Sequence, residues 1–250
     1  MPATTVVKKV FCHVRMTCHP WKSARILRMK RRPMPELLDT DAGTPQEVAD
    51  SLLDLRWFNR WFGGIGTAQA LIQNVTSKTG RRNLSLLEVA AGDGFVPRLL
   101  AEKFEWGGVR LQTTLLDRVP SHLPANGPTP KVAGDALRLP FRNNSFDLVS
   151  SSLFVHHLSP DQAVQFARDA LRVSRVAVLV HDLVRNPLHL ALAYAGVPLY
   201  RSRLTRNDAP ASVWQAYTAD EMAGFFRDAG AAAVEVRVHY LFRMGVTAWK

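Results

Sequence analysis

Apolar positions follow two alternating periods along this chain, one typical of strands and one typical of helices. Short runs rich in β-branched and aliphatic residues predict strands, and apolar stripes at helical spacing predict helices between them. The predicted strands are residues 86–89, 111–116, 131–133, 146–151, 175–180, 234–240 and 246–249. Strands that alternate with helices indicate a parallel sheet covered by helices on both faces.

Three helix starts share one capping pattern. Thr44, Ser159 and Thr218 are each followed three residues later by Glu or Gln, which predicts a capping box. Residues 44–75 read as helical and aromatic, so we interpret 36–80 as a helical cap. Residues 184–215 form an insertion after the fifth predicted strand, on the side where open α/β sheets bind ligands.

The last two predicted strands lie too close together to run parallel. Only Leu241 and Phe242 separate residues 234–240 from 243–249, and a parallel return needs a long crossover. The sequence therefore predicts a doubly wound, mostly parallel seven-stranded sheet with one antiparallel strand at its C-terminal end and an N-terminal helical cap. In this interpretation residues 81–250 form the main α/β domain.

The net charge of +11 comes mostly from the first 35 residues. This segment holds nine Lys or Arg and no acid, whereas residues 36–250 hold 23 basic and 21 acidic residues. A nearly neutral body argues against a nucleic-acid-binding surface. Residues 1–35 fit a disordered basic arm, a targeting segment, or sequence upstream of a true start at Met29 or Met34.

The cysteines and the hydropathy argue against a disulfide-rich, zinc-binding or membrane-spanning protein. The two cysteines, Cys12 and Cys18, lie in the basic arm, so we expect no disulfide framework, and their spacing to His13 and His19 fits no standard zinc site. We therefore predict no metal. No apolar run reaches the ~18–20 residues of a membrane span, and we expect a cytoplasmic protein with no membrane span. The oligomeric state stays open.

The segment 86–94, Leu-Leu-Glu-Val-Ala-Ala-Gly-Asp-Gly, is the strongest functional signal. A buried strand turns through glycines into a helix whose N-terminus can face a small molecule. The dinucleotide pattern G-x-G-x-x-G fails because residue 97 is Pro. Ala90, Gly92 and Gly94, with Glu88 two residues before them, resemble motif I of the class I S-adenosylmethionine-dependent methyltransferases.

Two later segments extend this resemblance over residues 85–182. Asp117 ends the second strand, although an acid there also suits a dinucleotide enzyme, and 132–149 resembles the adenine-binding loop and fourth strand of the family. The resemblance implies a Rossmann-like fold and S-adenosylmethionine as cofactor. It implies that Glu88 attracts the ammonium group, Asp117 accepts from the ribose hydroxyls and Asp135 accepts from the adenine amino group. The implied cofactor residues are Glu88, Ala90, Gly92, Asp93, Gly94, Asp117, Asp135, Ala136 and Leu153.

Histidines after the fourth and fifth strands are the candidate catalytic residues near the methyl acceptor. Residues 153–158, Leu-Phe-Val-His-His-Leu, resemble a stretch in small-molecule and quinone-biosynthesis methyltransferases. A histidine there can take a proton from a phenol, so His157 and His181 are candidate bases. The alternative is that His156 or His157 only contacts the cofactor or caps the turn.

Aromatic and apolar residues set the expected acceptor. Trp57, Phe58, Trp61, Phe62 and the apolar stretch 186–200 suit a flat apolar acceptor, or plain core packing. The sequence therefore predicts a methyltransferase for a small aromatic metabolite, with O-methylation favoured over C-methylation. The alternatives are an RNA methyltransferase served by the basic arm, and a methyltransferase-like binding or assembly protein without turnover.

Overall fold

Seven strands form one sheet in the computed structural model, which describes residues 29–40 and 42–250. Their order is β3-β2-β1-β4-β5-β7-β6. The strands are β1 (Asn83–Val89), β2 (Arg110–Asp117), β3 (Lys131–Ala133), β4 (Phe146–Ser152), β5 (Ser174–Leu183), β6 (Ala233–His239) and β7 (Arg243–Trp249). The helices are α1 (Pro45–Trp61), α2 (Gly64–Thr79), α3 (Phe95–Trp106), α4 (Pro160–Val173), α5 (Pro187–Ala195), α6 (Arg203–Gln215) and α7 (Ala219–Asp228).

The strand directions confirm the predicted architecture. Strands β3, β2, β1, β4 and β5 pair in parallel, whereas β7 runs antiparallel to both β5 and β6. The chain winds from β1 to one edge and then returns beyond β1 to build the other half. The order therefore reverses between β1 and β4, where the carboxyl ends of the strands leave a crevice for ligands.

Alternate side chains of β1 fill two separate cores. Leu87 and Val89 belong to the core beneath α4 and α7, whereas Leu84 and Leu86 belong to the core beneath α2 and α3. Successive strand residues point to opposite faces, so an apolar strand buried on both sides feeds both layers. All three predicted capping boxes are present, since Thr44, Ser159 and Thr218 each accept from the third helical N–H.

The cap differs from its predicted boundaries because α2 lies on the sheet. Its buried stripe, which includes Leu71 and Val75, belongs to the core shared with Leu84 and Leu86 of β1. The cap over the carboxyl edge instead consists of α1 packed against α6, which packs in turn against α5. Asp54 of α1 accepts from the backbone N–H groups of Arg201 and Ser202 at 2.9 and 3.2 Å and so joins the helical cap to the 184–215 insertion.

Residues 29–35, which the sequence analysis placed in the basic arm, pack against the folded domain. The Arg31 guanidinium donates to the backbone carbonyls of Gln215, His156 and Leu158 at 2.7, 3.0 and 2.9 Å, and it lies over the ring of Tyr217. These bonds satisfy carbonyls that the ends of helical segments leave open. Residues 1–28, with Cys12 and Cys18, lie outside the described residues.

The described part of the chain also bears on the membrane prediction. Across residues 29–40 and 42–250, the longest apolar helices fall short of what a membrane crossing requires.

Candidate active site

A cavity of about 750 Å³ lies between the carboxyl edge of the sheet and the cap. Its floor is the turn after β1 with the ends of β2 and β4. Its roof comes from α1, α5 and α6, together with residues 36–39. A cavity of this size and position is typical of small-molecule sites, which occur at the switch point of α/β sheets.

The turn after β1 is held in a left-handed backbone conformation. Ala90, Gly92 and Gly94 have φ angles of 55°, 52° and 66°. At Gly94 a Cβ would lie 2.6 Å from Cδ1 of Leu115, so only glycine fits there. Ala90 adopts this conformation despite its Cβ, at a cost of roughly 1–2 kcal/mol. Such local strain is typical of functional sites.

Glu88 brings a buried carboxylate to the cavity wall. The side chain is 3% exposed, and its carboxylate accepts from the hydroxyls of Ser150 and Ser152. Among the described residues no basic side chain forms an ion pair with it. Burial raises the pKa of Glu88, and the two serine hydroxyls offset only part of that rise. A carboxylate held this way at a cavity wall is suited to a cationic group of a ligand.

Asp117 ties the turn after β1 to the end of β2. One carboxylate oxygen accepts from the backbone N–H of Gly92 at 2.8 Å, and the other accepts from that of Val119 at 2.9 Å. Asp135 is exposed and accepts from the backbone N–H of Leu137 at 2.9 Å. Both acids line the cavity, so the three predicted nucleoside-side acids surround one space.

The structure brings eight of the nine predicted cofactor residues to the cavity. Gly94 is the exception, because it lies behind the turn against Leu115. Leu153, at the end of β4, has a φ of 54° and so repeats the left-handed conformation of Ala90 on the neighbouring strand. The eight that line the cavity are Glu88, Ala90, Gly92, Asp93, Asp117, Asp135, Ala136 and Leu153.

Asp93 has two contacts that the sequence did not resolve. One carboxylate oxygen accepts from the backbone N–H of Phe95, the first residue of α3, at 3.0 Å. The other lies 2.5 Å from Nε of Arg56 in α1, whose guanidinium also lies over the ring of Phe95. The pair links the cap to the turn after β1. Nothing in the sequence pattern signals this contact between distant segments.

Two histidines and three carboxylates form a cluster at the far side of the cavity. Nδ1 of His156 lies 2.6 Å from Asp182, and its Nε2 lies 3.5 Å from Glu36. Nδ1 of His157 lies 3.0 Å from Asp39, and its Nε2 lies 3.9 Å from Glu36. Glu36, Asp39 and both histidines line the cavity, whereas Asp182 is fully buried behind His156.

The carboxylates decide the charge of His156. Burial alone would lower the pKa of this histidine, but Asp182 and Glu36 raise it to about 10. The pKa values of Asp182 and Glu36 are lowered in return, because the neighbouring histidines outweigh the effect of burial. The two carboxylates therefore favour the charged form of His156, and the histidines favour the charged forms of Asp182 and Glu36.

The two predicted bases occupy different environments. His157 lies on the cavity wall, as a base must. His181 is 1% exposed inside the sheet, does not line the cavity, and has no hydrogen-bond partner on either ring nitrogen among the described residues. Burial, with a further contribution from Arg243, lowers the pKa of His181 to about 3. Because side chains alternate along β5, Asp182 rather than His181 reaches the cluster.

Aromatic rings build the roof of the cavity. Trp57, Phe58 and Phe62 of the cap contact one another with ring centroids 4.9–6.0 Å apart, and Phe58 also contacts Tyr200 at 5.3 Å. All four line the cavity. Trp61, the fourth predicted aromatic residue of this helix, is 64% exposed and points away.

Comparison with known proteins agrees with this geometry. A family profile described as a methyltransferase domain matches residues 87–177, which run from β1 into β5. No curated protein sequence is significantly similar to this chain.

Several solved structures share the fold at low sequence identity. One is an S-adenosylmethionine-dependent methyltransferase from Aquifex aeolicus, with 14% identity and a TM-score of 0.53 over 81% of this chain and 97% of that one. Another is the apo form of the S-adenosylmethionine-dependent methyltransferase SibL, with 18% identity and a TM-score of 0.58 over 87% and 62%. A third is PigF with SAH, with 14% identity and a TM-score of 0.56 over 86% and 62%.

Proposed function

We propose that this chain is a class I S-adenosylmethionine-dependent methyltransferase, as its matched domain and its fold support, and that it methylates an oxygen atom of a small, flat, largely apolar acceptor. One observation carries the proposal. A single cavity joins three acids at the carboxyl ends of neighbouring strands to an aromatic roof and a histidine–carboxylate cluster. The first part suits a charged nucleoside, and the second suits an apolar acceptor with one polar atom.

In this proposal the acids bind the methyl donor. Glu88 accepts from the ammonium group of the donor's methionine end, because a buried carboxylate without a basic partner gains most from a cation. Asp117, fixed by two backbone N–H groups, accepts from the ribose hydroxyls. Asp135 accepts from the adenine amino group, and the backbone N–H of Ala136 donates to the adenine ring. The neighbouring Gly92 admits the nucleoside close to the backbone.

The acceptor lies beneath the aromatic roof. Trp57, Phe58, Phe62 and Tyr200 offer ring faces and edges to a flat molecule, and aromatic pairs of this kind gain about 0.5–1.5 kcal/mol beyond their buried area. Such a surface gives little recognition of the phosphates of RNA, which basic side chains bind. The roof therefore favours a small molecule over RNA.

Methyl transfer to oxygen then takes place at the cluster. The acceptor oxygen forms a bond to the methyl carbon while the carbon–sulfur bond breaks, and that electron pair stays on sulfur, which becomes a neutral thioether. The hydroxyl proton leaves to the cluster, with His157 as the candidate base. The protein contributes mainly alignment of the oxygen with the sulfonium.

Labelled methyl transfer tests the proposal. We would incubate the full chain with methyl-¹³C S-adenosylmethionine and a panel of phenols, then locate the label by NMR. We expect an O-methyl product from the free phenol and none from the matched phenol whose hydroxyl is already methylated. Label on a ring carbon would overturn the choice of oxygen. Tight donor binding without any methylated product would favour the non-catalytic alternative.

The RNA alternative needs its own comparison. Total RNA is offered as acceptor to the full chain and to a variant that lacks residues 1–28. The truncation stops at residue 28 because Arg31 bonds to the folded domain. Methylated RNA that requires residues 1–28 would overturn the small-molecule proposal.

A further inference from the structure

We propose that Glu36, His156 and His157 bind a divalent transition-metal ion, with zinc as the best-suited ion, at the acceptor end of the cavity. The inference rests on the proposed function in one respect, because the coordination position that the protein leaves open would face the methyl acceptor. It departs from the sequence analysis, which assigned no metal. The three residues come from two distant segments, so no spacing motif announces them.

The geometry suits a small ion with nitrogen and oxygen ligands. One ring nitrogen of His156, one of His157 and a carboxylate oxygen of Glu36 all lie within 4.8 Å of one another. The two histidine-to-carboxylate distances are 3.5 and 3.9 Å. Tetrahedral zinc with ligands at about 2.0–2.1 Å separates its ligands by about 3.4 Å. Small side-chain movements therefore close the site around an ion.

Both histidines are oriented as metal ligands usually are. Nδ1 of His156 is held by Asp182 at 2.6 Å, and Nδ1 of His157 is held by Asp39 at 3.0 Å. Metal-binding histidines almost always give their second nitrogen to a carboxylate, carbonyl or water, which fixes the ring and raises its basicity. Here that arrangement occurs twice, and in both rings it leaves Nε2 turned toward Glu36.

His156 supplies an independent observation. Its Nε2 is buried and makes no hydrogen bond of standard geometry among the described residues, since its contact with the Glu36 carboxylate is long, at 3.5 Å. A bound ion would satisfy this atom. A divalent ion would also balance the charges of the cluster. When both imidazoles are neutral, the ion and the Arg31 guanidinium together carry as much positive charge as Glu36, Asp39 and Asp182 carry negative charge.

The ligand set points to the class of ion. Imidazole nitrogen favours zinc and its first-row neighbours, whereas magnesium and calcium prefer all-oxygen sites. Three protein ligands leave the fourth zinc position open, as in catalytic zinc sites. That position faces the cavity, where it can take water or the acceptor oxygen, and zinc lowers the pKa of an oxygen bound to it. In the metal-bound protein His157 is then a ligand rather than the base, and the acceptor proton leaves to water.

Metal titration of the full chain tests the site directly. Purified protein is stripped with a chelator and titrated with Co²⁺, whose visible absorption reports tetrahedral coordination, and then with Zn²⁺ in competition. We expect one ion per chain. His157→Ala removes a ligand from the cavity wall and should weaken binding at least 100-fold. Asp39→Asn removes only the group that orients this ligand, and should weaken binding by roughly 10- to 100-fold.

Two matched controls separate this site from others. His189 lines the same cavity outside the cluster, so His189→Gln should leave metal affinity unchanged. The double variant Cys12→Ser with Cys18→Ser should also leave it unchanged. If the cysteine variant abolishes binding, the ion belongs to the cysteine–histidine pairs of the first 28 residues and the proposal is wrong.

The remaining outcomes are also decisive. Absence of stoichiometric Co²⁺ or Zn²⁺ binding, or unchanged affinity in His157→Ala, would overturn the metal site and leave the cluster as a proton acceptor. Donor binding is measured by calorimetry on the same preparations, and thermal unfolding verifies that each variant is folded. If the full chain binds S-adenosylmethionine but no metal, the metal site is wrong and the proposed function is unaffected. Absent S-adenosylmethionine binding contradicts the proposed function instead.

Discussion

Glu88→Gln tests the assignment of the donor's ammonium group most sharply. The substitution keeps the size of the side chain, and its amide can still bond to the hydroxyls of Ser150 and Ser152. It removes only the negative charge. In the free protein this charge is unfavourable, because burial raises the pKa of Glu88. We therefore expect the variant to be at least as stable as the wild type.

We expect Glu88→Gln to weaken the binding of S-adenosylmethionine. A hydrogen bond between charged groups contributes about 1.5–3 kcal/mol, so the dissociation constant for S-adenosylmethionine should rise roughly 10- to 150-fold. The pH dependence follows from the same group. Since protonation of Glu88 removes the charge, donor affinity of the wild type should fall as the pH drops through its raised pKa. Glu88→Gln should lack that part of the pH dependence.

Calorimetric titration with S-adenosylmethionine and with 5′-methylthioadenosine isolates the contact between Glu88 and the ammonium group. 5′-Methylthioadenosine shares the nucleoside but lacks the ammonium group, so its affinity should be the same for wild type and Glu88→Gln. The control variant is Asp147→Asn, a carboxylate at the opposite edge of the sheet that bonds to Ser85 and pairs with Arg81 and Arg175. It should lower stability without changing donor affinity.

Two results would refute this assignment. Unchanged S-adenosylmethionine affinity in Glu88→Gln would show that the ammonium group lies elsewhere. An equal loss of affinity for 5′-methylthioadenosine would show that Glu88 contacts the nucleoside or only shapes the turn.

Three further predictions concern stability and are measured by urea unfolding. Ala90→Gly relieves roughly 1–2 kcal/mol of left-handed strain but adds about 0.5–1 kcal/mol of chain entropy to the unfolded state. We therefore expect the free energy of unfolding to rise by up to about 1.5 kcal/mol, and a decrease would contradict the strain. His181 has a pKa of about 3 in the folded protein, below its usual 6.5. The unfolded chain therefore binds a proton that the folded protein does not, and the free energy of unfolding decreases as the pH falls below 6.5. His181→Leu should abolish a loss of about 2 kcal/mol between pH 7 and pH 5, and a variant that keeps the full loss would assign it to other groups. Arg31→Met should cost at least about 2 kcal/mol, the value of one charged hydrogen bond, whereas the exposed Lys30→Met should cost almost nothing, and equal effects would contradict the role of Arg31.

The sequence predicted the sheet well because its evidence is local. Each core strand carries its own apolar run, each capping box lies within four residues, and the two-residue link at Leu241 and Phe242 permits only an antiparallel return. The positions of Glu88 and Asp117 at the cavity were also predictable, since both stand at strand ends whose positions the fold determines. Strand limits were less certain, and β1 begins at Asn83 rather than at residue 86, where its apolar run starts.

The acceptor side could not be predicted because it depends on contacts between distant segments. Asp39 meets His157 across 118 positions, and Asp182 meets His156 across 26. Composition placed residues 29–35 with the basic arm, although Arg31 bonds to backbone groups around the cluster. The choice of His181 failed for a simpler reason, since neighbouring strand residues face opposite sides and the pattern did not show which side faces the cavity.

Residues 29–40 therefore link folding to the completion of the site. Arg31 attaches this segment to the carbonyls of Gln215, His156 and Leu158, and the same segment then delivers Glu36 and Asp39 to the two histidines. Glu88 and Asp117, two of the acids that we propose bind the methyl donor, lie on β1 and β2 and make none of these contacts. Loss of the Arg31 contacts should accordingly impair the histidine cluster while S-adenosylmethionine still binds, because the two halves of the cavity are built from independent parts of the chain.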